Sequence, residues 1–503
     1  MNWLLAFRRR WRGPGRWANP ALAGAVGILV GVSVALLFAP KGALTSTLQT
    51  GGPGDTGVPG GPAASAGPGA KAHVAGGRGG ANSGLVSNGH RVGPGAAAGP
   101  NTLGTSNGKG GVSNSVIRIG IAVPDLGAVS ALGPGYDDGD PQKQAESVLA
   151  AWHRDGLLPV NGRDVQFSYA KFNILSDPAA RAACTSLIDD DKVFMVISNH
   201  TFSGPGADCV THEHHETLVT SDGVTEAEQA MDAPYYFTTE MSESRLLRNW
   251  PHWANARGLL RGKRIGIYYF SSEKQEVLGN LKAQLARLGY GKQVVSEVTS
   301  NTEGGGPSDA VAVQRFQAAH VDLAWLVVDQ LSQTNFMNTA QSNLYHPTYV
   351  GSDYRLDSTN TATMTFPASE YDGTYGFTGL RVGEGAGGVA ESAEQQKCVS
   401  DYKKLTGQTV DRESNEAEYV SLQYTCDEGR AVMFALQHAG RSLTQASFIA
   451  ALEQIHNMPM GMTGNVSFGP GIFAGTSTQR TIEWQGGCKC WRALGGFSPL
   501  YVP

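Results

Sequence analysis

The run Val193–Ile197 reads VFMVI, apolar at every position. A strand with no polar face has to be covered on both sides, which places it inside a parallel sheet flanked by helices. The surrounding sequence supplies those partners. Val116–Val123 (VIRIGIAV) reads as a strand, and Gln142–His153 repeats apolar residues at helical spacing through Ala145, Val148, Leu149 and Trp152. Val165–Tyr169 alternates like a strand. Asp177-Pro178 reads as a helix start, with Asp177 as the capping carboxylate. A helix around Asp208–His215 and a strand at Thr217–Thr220 complete this first series.

The alternation then restarts. Arg264–Tyr269 (RIGIYY), Val294–Val298, Asp322–Val328 (DLAWLVV) and Thr348–Gly351 read as strands. Between them lie helices at Val277–Leu288, closed by Gly289, and at Asp309–His320, with one more before Thr348. Two tandem βαβ series imply an α/β fold of two doubly wound lobes. Two further helices, around Glu394–Thr406 and Tyr419–His438, and a β-rich end from Gly464 to Trp491 follow. Open α/β sheets bind ligands beyond the carboxyl ends of their strands, and two such lobes make a cleft that closes about a hinge. The candidate loops are therefore Asn199–Ser203, Ser221–Thr225, Phe270–Lys274, Gln330–Ser332 and Ser352–Asp353.

The segment before residue 116 has a different character. Arg8, Arg9, Arg10, Arg12 and Arg16 precede nineteen uncharged residues, Ala21–Ala39. At 1.5 Å per residue such a helix reaches about 28 Å, close to the hydrocarbon thickness of a bilayer. The basic flank favours a cytoplasmic amino terminus, so Ala21–Ala39 is expected to be a single membrane anchor with the remainder extracytoplasmic. Residues 40–115 read as a disordered linker: 21 Gly and 6 Pro fall among the 61 residues from Gly51 to Gly111, and so few large apolar side chains cannot offset the entropy of ordering. Residues 1–115 carry a formal charge of +9 and residues 116–503 carry −14. An acidic body excludes a nucleic-acid binder, which needs a basic face.

All six cysteines, Cys184, Cys209, Cys398, Cys426, Cys488 and Cys490, lie in the body. An even number outside the membrane points to disulfides. Proximity favours Cys184–Cys209 and Cys398–Cys426, and leaves Cys488-x-Cys490 as a local bridge or two free thiols. No zinc spacing is present. The run His212-Glu-His-His215-Glu lacks the HExxH pattern, and Gly383–Gly388 matches GxGxxG by letter but has no βαβ unit around it, so a turn is expected. Asp137-Asp138-Gly139-Asp140 reads as a solvated loop rather than a calcium site. With no GxSxG elbow, no complete phosphate loop and no reactive Cys/His pair, no enzyme, metal or cofactor is expected.

Several of these phrases taken together carry a resemblance. AESVLAAWHRDGLLPVNGRDVQF (145–167), TLVTSDGVTEAE (217–228), Tyr236-Phe237-Thr238-Thr239 and Val350-Gly351-Ser352-Asp353 resemble the type I periplasmic binding proteins, in particular the leucine/isoleucine/valine-type solute receptors of ABC transporters. The resemblance implies a first lobe at about 116–242 and 373–460 and a second at about 243–372 and 461–503. It implies a small-molecule ligand, such as an amino acid, and ABC permease subunits as partners. The ligand carboxylate would be held by Thr201, Ser203, Gly223 and Thr225, and its ammonium by Asp353. Phe270, Gln330 and Tyr419 would shape the pocket. Phe202 departs from the family by standing near a usual small hydroxyl residue. The other reading of the same head is a membrane-tethered sensory receptor that signals through a protein partner.

Overall fold

The computed structural model describes residues 110–128, 137–174, 176–199, 202–356 and 358–502. The expected anchor Ala21–Ala39 and most of the expected linker lie outside these residues. Among the described residues, no helix is long and apolar enough to cross a membrane.

Strands β1 (Val116–Asp125), β2 (Asp164–Asn173), β3 (Met195–Ser198), β4 (Thr217–Thr220) and β5 (Tyr236–Thr238) form a parallel sheet in the order β2-β1-β3-β4-β5. β3 and β4 are buried at every position, as strands apolar on both faces must be. Successive residues serve opposite cores. Met195, Ile197, Val219 and Phe237 pack under the helices Pro141–Arg154 and Glu416–His438, whereas Val196, Leu218 and Tyr236 pack under Asp177–Thr185. The turn between the first helix and β2 is a two-residue hairpin. Asn161 and Gly162 both take positive φ (50° and 83°), and Val160 and Arg163 exchange backbone hydrogen bonds of 2.8 and 2.9 Å.

The second sheet repeats the plan. β6 (Ile265–Phe270), β7 (Val294–Ser300), β8 (Leu323–Val327) and β9 (Thr348–Tyr349) are parallel in the order β7-β6-β8-β9. Tyr268, Ala324 and Leu326 face one core, and Ile267, Tyr269, Trp325 and Val327 face the other. A third sheet, β10-β11-β14-β15, joins β10 (Gly351–Ser352) and β11 (Tyr375–Thr378) to the antiparallel β14 (Thr478–Gln485) and β15 (Cys490–Pro499). β12 (Met458–Pro459) and β13 (Asn465–Val466) make a separate short pair. The expected β-rich end thus runs on to Pro499. The helices Glu243–Ala256 and Gln445–Leu452 belong to the fold although the periodicity above does not mark them.

Two further expectations are corrected. Ser176, not Asp177, caps the helix Asp177–Thr185: its hydroxyl accepts the Ala179 N–H, and Asp177 is the first helical residue. The expected linker 40–115 does not extend to 115. Val112, one apolar side chain in a glycine-rich stretch, is buried with β1 and the first helix, and the Arg118 N–H donates to the Gly111 carbonyl at 2.7 Å.

Both expected disulfides form, Cys184–Cys209 and Cys398–Cys426, and Cys488–Cys490 is a third. Closing loops of this length contributes roughly 3–4 kcal/mol each for the first two. Gly383–Gly388 is a run of turns, and Asp140 caps the helix Pro141–Arg154 through the Lys143 N–H.

The chain passes between the two parallel sheets three times. It leaves β5 through Thr239–Met241, returns after β11 through Gly379–Arg381, and leaves again between Leu452 and β14. These segments bond to one another side by side. Gly475 N–H donates to the Thr238 carbonyl (2.9 Å), Arg381 N–H to Met462 (2.7 Å), and the Thr476 hydroxyl to the Thr239 carbonyl (2.7 Å). All three converge at Gly379, where an added Cβ would stand 2.9 Å from Thr476 Cγ2 and 3.2 Å from Met241 Cε. Only glycine fits such a crossing without displacement.

Candidate ligand-binding cleft

A cavity of about 360 Å³ lies where the crossings meet the carboxyl ends of the strands. Ser203 borders it from the loop after β3 and Ser221–Thr225 from the loop after β4. Glu273 comes from the loop after β6, and Asp353–Arg355 from the turn after β10. Glu240, Met241, Glu243, Gly379, Leu380 and Thr476 come from the crossings or the helix start beside them. The strand ends of both parallel sheets and all three crossings therefore bound one space.

The loops are fixed from behind. Asn199 at the end of β3 donates through Nδ2 to the Ser421 carbonyl (3.0 Å) and hydroxyl (2.8 Å), and the Ser421 hydroxyl donates to Gln144 Oε1 (2.8 Å). Such a satisfied buried network holds the loop in one geometry. Phe202 is not in the cleft. It is fully buried with its ring edge-on to Phe172, 5.1 Å between centroids.

The loop after β4 ends in a capping box. The Thr225 N–H and hydroxyl both donate to Glu228 Oε2 (2.9 Å each), and the Glu228 N–H returns to the Thr225 hydroxyl (3.1 Å). The two donors that Thr225 was expected to give a ligand carboxylate are thus held by the chain's own carboxylate.

Asp353 lines the cavity but is buried and engaged. Ser358 Oγ donates to its Oδ1 and the Gly379 N–H to its Oδ2, both at 2.5 Å. Burial pushes its carboxyl up to about 6, against the pull of Ser358, Thr378, the Gly379 N–H and Arg480. It ties the turn after β10 to the second crossing. Next to it, Arg355 sits in the left-handed region (φ 50°). Its guanidinium lies 3.2 Å from Glu303, 3.4 Å from Glu273 and 5.5 Å over the Phe270 ring.

Acids dominate the lining. Asp222, Glu228, Glu240, Glu243, Glu273 and Asp353 face one cation, Arg355. Burial, then the nearby Glu273, holds the Glu243 carboxyl well above the usual carboxylate range, with Arg355 opposing. Burial likewise raises Glu273, and Arg355 opposes. Glu240 accepts a hydrogen bond from the Tyr424 hydroxyl.

Of the residues expected at the site, Ser203, Gly223, Thr225 and Asp353 come together here. Thr201 lies outside the described residues. Phe270 is core, screened from the cavity by Arg355. Gln330 begins the helix Gln330–Ser342 and approaches Thr365 at 3.5 Å. Tyr419 borders a different cavity, with Arg381, Glu416 and the Cys488–Cys490 bridge. The sequence reading missed Glu240, Glu243 and Arg355. Glu240 directly follows the Tyr236–Thr239 phrase, so the signal lay one residue beyond the motif.

The periplasmic binding protein family model matches residues 116–483. No curated protein matches the chain. Among solved structures, a leucine-binding protein from Thermotoga maritima MSB8 is similar at 12% identity and TM-score 0.57, covering 75% of this chain and 97% of that one. A branched-chain amino acid ABC transporter protein from Thermus thermophilus with bound valine gives 12%, 0.57, 78% and 98%. A solute-binding protein of an ABC transporter from Rhodopseudomonas palustris BisB5, in complex with 3,4-dihydroxybenzoic acid, gives 16%, 0.54, 77% and 99%.

Proposed function

The chain belongs to the periplasmic binding protein family, and from that premise we propose that it is the extracytoplasmic solute receptor of an ABC importer, tethered by Ala21–Ala39, that captures a small polar ligand by hinge closure. The observation that carries this reading is the single cavity bounded by the strand ends of both parallel sheets and all three crossings. A ligand there touches both sheets at once, and contacts available from both sides only when they approach favour the closed form. In this reading the lobes divide at the three crossings, Thr239–Met241, Gly379–Arg381 and the stretch between Leu452 and β14, so the second boundary falls after β11 rather than near residue 372, and the crossings are the hinge. The backbone around Gly223, with Thr201 and Ser203, would meet the ligand from the first lobe. Asp353 would organise the second lobe's turn against the hinge. The solved relatives named above, with bound valine or a hydroxylated benzoate, support a small-molecule ligand.

A thermal-shift screen of the full chain, oxidised, against amino acids, amines, aromatic acids and sugars tests the reading. A ligand at 100 times its dissociation constant adds about 2.7 kcal/mol. A hit should also shrink the radius of gyration in solution scattering. A ligand that binds with no change in scattering would refute closure, and silence across the panel would refute the receptor role.

A further inference from the structure

We propose that this cleft selects a small organic cation, an amine or guanidinium compound without a free carboxylate. The proposal rests on the receptor reading and names the ligand class of the same site.

Two independent features point there. The first is charge. Six acids line the cavity against Arg355, and Arg355 already faces Glu273 and Glu303 at 3.4 and 3.2 Å. The second is the use of donors. Thr225 offers the N–H and hydroxyl that would suit a ligand carboxylate, but Glu228 takes both at 2.9 Å. A ligand carboxylate would have to displace one that is covalently held in place and then sit among further acids.

The spacing suits an organic ion rather than a metal. Among the described residues, no three acids of the cleft bring carboxylate oxygens within 4.8 Å of one another. The one group that does meet that distance is Cys184, Cys209 and His214, whose two sulfurs are bonded to each other. Glu240 Oε2 and Glu243 Oε1 instead border one spot: a Cβ on Gly223 would lie 3.7 Å from the first and 4.0 Å from the second.

A pH signature follows. Glu243 is faced by Glu273 and Glu276 from the segment after β6, by Glu228 from the helix Glu226–Asp232, by Glu240 from its own crossing, and by Tyr354 and Arg355 from the turn after β10. Burial and these like charges favour its protonated form in the empty cleft. A bound cation favours the ionised form, so binding expels protons and affinity rises with pH.

The test is calorimetric titration of the full chain with putrescine, spermidine and agmatine, and with leucine and benzoate. The expected result is binding of at least one cation, weakened about tenfold or more by Glu243→Gln, weakened by added salt and strengthened as pH rises, with no heat from leucine or benzoate. Glu240→Gln is the second variant, and thermal midpoints establish that both variants fold. Binding of leucine or benzoate without any cation would overturn the cation assignment and leave the receptor reading intact. Cation binding unchanged in both variants would overturn the assignment to this cleft. No binding by any probe in a folded chain would overturn the receptor reading, and this inference with it.

Discussion

Asp353→Asn isolates the cost of a buried charge beside the second crossing. In the unfolded chain this carboxyl titrates near 3.8, and in the fold at about 6. Between those values the folded state keeps a proton that the unfolded state has lost. Stability from this group is therefore full at low pH and declines as pH rises through the window. A difference of about two pKa units corresponds to about 3 kcal/mol. Asparagine has nearly the same shape and keeps one acceptor for Gly379 or Ser358, but it does not titrate. The assay is urea unfolding of both chains at several pH values from 4 to 7.5. Subtracting the two stability curves cancels every other titrating group that the substitution leaves alone. The difference should move by about 2.4 kcal/mol in favour of the variant between pH 4 and pH 7, on top of a pH-independent offset for the altered hydrogen bonds. Parallel curves would refute the reasoning, because they would mean that Asp353 is not desolvated as the fold places it.

Three other perturbations test the framework around the cleft. Gly429 lies on the helix Glu416–His438, and an added Cβ there would stand 2.5 Å from Val148 Cγ1. Gly429→Ala should therefore cost about 1–3 kcal/mol by overpacking, read as a lowered thermal midpoint, and Val148→Ala in the same chain should restore part of it. Thr225→Val should cost about 1 kcal/mol in urea unfolding through loss of the cap while leaving the affinity for a bound cation unchanged. A large loss of affinity would return Thr225 to the ligand. Replacing Cys398 and Cys426 together by Ser should lower stability by roughly 3 kcal/mol, measured against the same chain without reductant.

The strands were legible because burial on both faces demands unbroken apolar runs, and VFMVI and DLAWLVV leave little choice of structure. The pairing of near cysteines was legible for an equally local reason: short loops to close. The helix Glu243–Ala256 was missed although Leu246, Leu247, Trp250, Trp253 and Ala254 recur at helical spacing, because Pro251 within it reads as a helix breaker. Four of the eight expected site residues meet in the cleft, and for those the loop position after a strand was enough. What they do there depended on neighbours distant in sequence. Asp353 looked available to a ligand until the fold brought Gly379, 26 residues on, against its carboxylate. Tyr419 and the acids of the crossings show the same limit from the other side. Periodicity determines which face of an element is buried, so the chain by itself specified two parallel sheets and the ends at which a site must lie. Which charges share that site, and which are already spent on one another, is set by how separate elements converge, and only the tertiary structure decided it.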